Sequence, residues 1–188
     1  MELELWLVRH GETTHSRDAR MAGWIDVPLT ARGEEQARAL RPLLDGERFA
    51  AVWSSDLRRA VASARLAWGE PTVDPRLREI SFGSLENEAW ATIEERHREA
   101  LTSFAGFDAP GAETLEQARA RVDAFLAELP AGRHLVFSHG GVIRLLTREA
   151  GENAFLPTGT VVVLDWPARR LLRRLDNPVA LPPPFVRD

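Results

Sequence analysis

Cysteine, lysine and tyrosine are all absent from this chain. The missing cysteines exclude disulfides, thiolate metal sites and a cysteine nucleophile. Without lysine, all 24 basic side chains are arginine, so a phosphate site would have to be built from guanidinium, imidazole and backbone N–H groups. No apolar run approaches the ~20 residues of a membrane span. The first residues carry neither a basic n-region nor a long apolar h-region, so a cytoplasmic location is expected and a membrane partner is not. A formal net charge of −4 offers no general attraction to nucleic acid or to an anionic surface. What is present, 188 residues of which 44% are hydrophobic and 28% charged, suits a globular domain with a well-buried core.

Short apolar runs punctuate the chain. Leu3, Leu5, Trp6, Leu7 and Val8 predict a strand that ends in Arg9-His10-Gly11. Phe49 to Trp53 predicts a second, followed by Ser54-Ser55-Asp56 as a helix cap. His134 to Ser138 predicts a third, followed by His139-Gly140-Gly141. Thr160 to Leu164 is β-branched and reads as a strand, joined by a turn at Asp165 to Ala168 to an edge strand from Arg170 to Leu175. Between them the spacing predicts helices: one capped by Thr30 and running to Asp45-Gly46, one from about Leu57 to Trp68 and ending at Gly69, one across Asn87 to Phe104. A further helix is capped by Thr114 and carries Leu115, Ala118, Val122, Phe125 and Leu126 up to Pro130, and another runs from Gly140 to about Ala150. Such alternation predicts an α/β fold, a three-layer αβα sandwich whose mostly parallel sheet has an antiparallel edge strand. Residues 1–176 are expected to form one domain, and the proline-rich 177–188 an extended surface tail. A homodimer, if one forms, would use exposed apolar surface near Val161–Val163 or the tail.

Three of these strands end in reactive or anion-seeking groups: Arg9-His10, Ser54-Ser55-Asp56 with Arg58-Arg59, and Ser138-His139-Gly140. In a parallel sheet those ends share one edge, where open α/β sheets place their ligands. Two imidazoles and at least two guanidiniums should therefore converge, with the N–H groups of a helix opening at Gly140-Gly141 beside them. That is a phosphate pocket by its chemistry. A metal site would want carboxylates clustered with the histidines. The close pairs His10/His15 and His134/His139 are five apart, a spacing that on a strand puts the two rings on opposite faces, so no metal or cofactor is expected.

Six segments in this order resemble the histidine phosphatase (phosphoglycerate-mutase-like) superfamily. They are Leu7-Val8-Arg9-His10-Gly11-Glu12-Thr13, then Gly23-Trp24 through Gln36-Ala37, then Ser55-Asp56-Leu57-Arg58-Arg59-Ala60. Leu77-Arg78-Glu79-Ile80-Ser81-Phe82-Gly83, Gly111-Ala112-Glu113-Thr114 and Ser138-His139-Gly140-Gly141-Val142-Ile143-Arg144 complete the set. The resemblance implies that His10 is a nucleophile forming a transient phosphohistidine. It further implies that Arg9, Arg59 and His139 hold the transferring phosphoryl group, that Glu79 donates and accepts the proton, and that Ser16, Gly23, Gly140 and Phe82 border phosphate or substrate. Arg58 is expected to face solvent. Attack on phosphorus needs one unprotonated ring nitrogen, with the other held by an acceptor such as a backbone carbonyl. Fixed cations stabilise the charge spreading over the equatorial oxygens, and a carboxyl that holds its proton near neutral pH must serve the departing alkoxide.

The chain departs from the family pattern in places. His15-Ser16 stands where many relatives have Trp-Asn, leaving Ser16 a shorter reach to phosphate, and Glu86-Asn87 replaces Glu-Gly. Where glycolytic mutases resemble Glu-Arg-x-Tyr-Gly, this chain has Ile80 and Phe82, and it lacks their longer insertion before the second histidine. Apolar groups beside the phosphate favour a phosphomonoester with a nonpolar or aromatic leaving group, since burying one such side chain is worth about 1.5–3 kcal/mol. Glu79-Ile-Ser-Phe82-Gly83 also resembles the α-ribazole-phosphate phosphatase branch. The expectation is thus a cofactor-free phosphatase of small phosphomonoesters. The alternatives are a phosphoglycerate mutase using a bisphosphoglycerate primer, and a non-catalytic phosphate-ligand or protein-binding module. Glu12 is expected to orient backbone, with substrate binding as the alternative, and Glu113-Thr114 to cap a helix or to sit beside the phosphate. His97 is expected on a solvated face. Phe82, Leu85, Trp90, Phe104 and Phe107 are expected in the core more readily than at a ligand.

Overall fold

A computed structural model describes residues 3–106 and 108–179. Six strands, β1 (Leu3–Arg9), β2 (Ala51–Ser54), β3 (Thr72–Val73), β4 (Gly132–Ser138), β5 (Val161–Asp165) and β6 (Arg170–Leu175), form one sheet in the order β3-β2-β4-β1-β5-β6. The first four are mutually parallel, and β5 and β6 add antiparallel. Seven helices are named here: α1 (Thr14–Arg17), α2 (Ala31–Ala39), α3 (Arg41–Leu44), α4 (Arg58–Ala67), α5 (Glu95–Ser103), α6 (Leu115–Ala127) and α7 (Gly140–Thr147). Among the described residues, no helix is long and apolar enough to cross a membrane.

The period of two along each strand builds the layers. Leu5 and Leu7 of β1, Val136 of β4 and Val162 and Leu164 of β5 pack against Val122 and Phe125 of α6 and Ile143 and Leu146 of α7. The alternate residues Trp6, Val8, Leu135, Phe137, Val161 and Val163 face Leu40, Leu44, Ala64 and Ala67 on the other side. Both faces of the central strands are covered, which is why their sequences read as nearly continuous apolar runs. It also removes Val161–Val163 as a dimer surface: all three are buried between β1 and β6. A third cluster, including Met21, Ile80, Leu85, Leu101, Phe104 and Leu145, lies beneath α5.

Several expected helices differ in extent. The helix capped by Thr30 breaks into α2 and α3, because Pro42 near the start of α3 has no N–H to continue the ladder. Asn87 to Phe104 is α-helical only from Glu95, after one 3₁₀ turn at Trp90–Thr92. Asn87 takes a left-handed φ of 68°, and the backbone N–H groups of Asn87 and Trp90 donate to the carbonyls of Met21 and Ala19 rather than to a preceding turn. Within α5, His97 lies one turn before Leu101 on the same inward face, so it is 5% exposed rather than solvated. Its Nδ1 lies 3.6 Å from Asp108. At α4 the cap comes from elsewhere: Asp26 accepts the Arg58 N–H at 2.8 Å, while Asp56 forms a two-pronged pair with Arg78. Thr114 caps α6 reciprocally with Gln117. The final strand is not followed at once by a surface tail. Asn177 is buried, and the rest of the proline-rich stretch from residue 180, like Phe107, lies outside the described residues.

Two close backbone approaches fix the turn after β1. A Cβ on Gly11 would fall well inside contact distance of the Gly33 carbonyl, and one on Gly33 would meet the backbone of Glu12. The side chain of Glu12 accepts from Thr30 Oγ1 at 2.7 Å, a side-chain partner rather than the backbone expected for it.

Candidate active site

Neighbouring parallel strands deliver the two histidines. His10 follows β1, with its N–H on the carbonyl of Ser138, and His139 follows β4 as the residue that opens α7. Their ring centroids are 5.1 Å apart at an interplanar angle of 62°. The turn after β2 leads into α4, whose second residue is Arg59, and the loop after β3 supplies Glu79. Arg58 is exposed while Arg59 is 1% exposed, as expected for that adjacent pair.

Hydrogen bonding sets the tautomer of each ring. His10 Nδ1 lies 2.7 Å from the Gly11 carbonyl, which can only accept, so Nδ1 carries the proton and Nε2 the lone pair. His139 Nδ1 lies 3.2 Å from Arg59 Nε, which can only donate, so His139 carries its proton on Nε2. That Nε2–H is buried and has no hydrogen-bond partner among the described residues; Arg9 Nε is in the same condition. Two unpaired donors in a buried cup are costly unless an acceptor arrives. Burial, then the nearby charges of Arg59 and Arg9, hold His10 well below the usual imidazole range. Burial and Arg59 do the same for His139. Both rings are therefore neutral near pH 7.

The cations are fixed by main chain. Arg59 donates to the carbonyls of Gly23 at 2.7 Å and Ile25 at 2.8 Å, and burial pulls its guanidinium down to about 10 against the opposing charge of Glu79. Arg9 donates through Nη1 to the Leu156 carbonyl, and burial lowers it too. Glu79 is held at both ends. Its carboxylate accepts from the N–H of Ile80 at 2.9 Å and of Gly141 at 3.2 Å. Its carbonyl accepts from Trp24 Nε1 at 2.7 Å and Arg121 at 3.0 Å, and Arg121 is itself clamped by Glu113.

These groups share a cleft of about 790 Å³, including its open mouth. Arg9, His10, Ser16, Gly23, Arg59, Glu79, Phe82 and Gly140 line it, and the His139 ring packs edge-on against that of His10, so the residues expected from the sequence are brought together. Individual details differ. The Ser16 hydroxyl is engaged in a reciprocal cap with Thr13, accepting its N–H at 2.8 Å. Gly23, at φ +49°, offers its carbonyl to Arg59 and has no room for a side chain beside Glu86. Ile80 does not border the cleft: it is fully buried in the cluster beneath α5, and only Phe82 of the pair does. Trp90 and Phe104 join the wall instead.

Sequence reasoning missed Arg144 and Phe155, and it placed Gly141 at the pocket for its N–H without the contact it makes to Glu79. Gly141 admits the Glu79 carboxylate where any Cβ would collide, a contact that the Gly140-Gly141 pair could have suggested. Arg144 is stacked between Phe104 and Phe155, with ring centroids at 4.6 and 4.5 Å. Its donors go to the carbonyls of Leu101 and Thr102 and to Asn153, tying the end of α5 to the cleft. No local pattern announces these long-range partners. Among the described residues, no group of three or more His, Asp or Glu side chains is placed to hold a metal ion.

The histidine phosphatase superfamily (branch 1) matches residues 5–162, and the chain belongs to that family. It is 35% identical over 159 residues to the adenosylcobalamin/alpha-ribazole phosphatase of Escherichia coli (strain K12), covering 77% of each. It is 34% identical over 157 residues to fructose-2,6-bisphosphatase TIGAR B of Danio rerio, covering 79% of this chain but only 60% of that longer protein. A solved phosphoglycerate mutase from Thermus thermophilus superposes with a TM-score of 0.85 at 48% identity, covering 92% of this chain and 98% of that one. The fold is accordingly phosphoglycerate-mutase-like, within an enzyme family whose members are phosphatases or mutases.

Proposed function

We propose that this protein is a metal-independent phosphomonoesterase working through a phosphohistidine at His10. One observation carries the reading: two neutral imidazoles in opposite tautomers share a buried cup, one presenting a lone pair and the other an unpaired N–H. In the first step His10 Nε2 bonds to phosphorus as the ester P–O bond breaks, and Glu79 gives its proton to the departing alkoxide. In the second, water attacks phosphorus, the N–P bond breaks, Glu79 takes the water proton, and inorganic phosphate leaves. Arg9, Arg59 and the His139 Nε2–H hold the equatorial oxygens, whose charge they meet without reorganising. The N–H of Gly140, in the first turn of α7, adds to this anion-favouring end. Gly23 supports Arg59, and Ser16 would reach phosphate only by releasing its cap.

The outer wall supports a small substrate with an apolar or aromatic leaving group, α-ribazole phosphate among the candidates, because Phe82, Trp90, Phe104 and Phe155 border it. Arg20 and Arg144 on the same wall favour the second reading, a mutase gripping a second anionic group. Against it, Arg144 is spent on α5, and Arg20 donates to the Asn87 carbonyl at 2.6 Å.

The test is phosphate release from an aryl phosphate in the presence of chelator, with rapid quenching to trap label on His10. The expected result is a phosphohistidine and a loss of about 10³-fold or more in His10→Ala. Fast turnover of 3-phosphoglycerate with bisphosphoglycerate primer would favour the mutase instead. Phosphate binding without turnover would leave a binding module.

A further inference from the structure

The proton on His10 Nδ1 is fixed by the carbonyl of Gly11, and that carbonyl belongs to the planar peptide joining Gly11 to Glu12. The N–H of the same peptide points the opposite way and donates to Gln36 Oε1 at 2.8 Å. Anchoring one end of a rigid unit orients the other. Gln36 is fully buried on α2, and its amide has one permitted orientation: Oε1 must face the Glu12 donor, which turns Nε2 toward the Val179 carbonyl.

Gln36 is held in turn from beyond the last strand. Asn177 donates through Nδ2 to the backbone carbonyl of Gln36 at 2.8 Å and to that of Gly159 at 3.2 Å. The Gly159 N–H donates to the carbonyls of Arg9 and His10. Asn177 thus ties together the two segments that grip the main chain on either side of the reactive ring. Arg32, also on α2, donates to Val179 at 3.0 Å and closes the same seam.

We infer that Gln36 is a positioning residue for the nucleophile, fixing through the Gly11–Glu12 peptide the tautomer that His10 must adopt, and that Asn177 locks Gln36 in place. This rests on His10 being the nucleophile. With the acceptor at position 36 removed, the N–H end of the peptide loses its anchor, the Gly11 carbonyl is held less firmly toward Nδ1–H, and the proton can reside on Nε2, where no attack on phosphorus is possible.

The experiment is ¹⁵N NMR of the histidine rings in the intact protein, read beside steady-state kinetics on an aryl phosphate. Wild type should show His10 as a single Nδ1–H tautomer. Gln36→Leu should show a mixture, with kcat lower by about 10–100-fold and KM little changed, the scale of a displaced catalytic group. Gln36→Glu keeps an oxygen to accept the Glu12 N–H and should restore both readouts. Ring signals in Gln36→Leu identical to wild type would overturn the inference. If Gln36→Leu does not fold, Asn177→Ala carries the same readouts: a mixed tautomer supports the inference and an unchanged ring overturns it. Ring signals are read without turnover, so a wild-type protein that releases no phosphate would sink the phosphatase reading alone.

Discussion

His10 gives the proton of its Nδ1 to a main-chain carbonyl, whereas His139 receives one at its Nδ1 from Arg59, and the two rings lie 5.1 Å apart. One ring is thereby prepared to attack and the other to donate, with no proton shared between them. Neither can take up a proton cheaply beside two guanidiniums in a buried cup.

That arrangement makes stability depend on pH with a definite sign. Both folded-state values lie below the ordinary 6.5, so between 6.5 and the folded value the unfolded chain binds more protons. Stability is full above pH 6.5 and falls as pH drops below it, by up to about 1.4 kcal/mol per pH unit for each histidine. Denaturant unfolding at pH 7 and pH 5 should show a smaller loss for His139→Asn than for wild type; parallel losses would contradict this.

Glu79 is expected to matter in proportion to the leaving group. Glu79→Gln keeps an acceptor for the Gly141 N–H but can neither protonate an alkoxide nor deprotonate water. Hydrolysis of alkyl phosphates should slow by about 10²–10⁴-fold. Formation of the phosphoenzyme from an activated aryl phosphate should suffer far less, since that leaving group needs no proton, so the label should accumulate. Equal losses in the rate of phosphoenzyme formation from the two substrates would count against the role.

Arg59→Lys should behave as a severe change. One planar guanidinium serves Gly23, Ile25 and the Nδ1 of His139 at once, and an ammonium cannot reproduce that fork. A loss of about 10²–10³-fold in kcat/KM is expected, with weaker inhibition by inorganic phosphate. Retained phosphate affinity would show that Arg59 braces the wall without touching the ligand.

The parts of this site written in contiguous sequence are legible, and the parts assembled across the fold are not. Arg9-His10-Gly11 and His139-Gly140-Gly141 can be placed because each closes an apolar strand, and parallel pairing puts such ends together. Glu79 comes from family resemblance alone, for no periodicity marks a carboxylate in a loop. Ile80 and Phe82 look alike in sequence, yet backbone direction sends one into the core and the other into the cleft. His97 is misread because its charged neighbours suggest a solvated face, whereas its place four residues before Leu101 puts it on the apolar one. Asn177 stands next to a proline and looks like the start of a tail; its partners Gln36 and Gly159 are 141 and 18 positions away.

Gly141→Ala offers a check on the geometry around Glu79. A methyl group there would meet the carboxylate and the side chain of Ile80, so the acid must swing away or α7 must shift. Activity should drop by about 10²-fold with the fold intact by circular dichroism. Gly140→Ala, where the added carbon comes no closer than 3.3 Å to the Arg9 side chain, should lose less.

The facing pair Gly11 and Gly33 carries a consequence for how this protein can change. At each position the obstacle to a larger residue is the other segment's main chain, and no replacement of a side chain can clear it. A substitution at one therefore has no rescuing partner at the other. The distance between the end of β1 and the start of α2 is frozen, and new specificities must be acquired in the loops on the far side of the cleft.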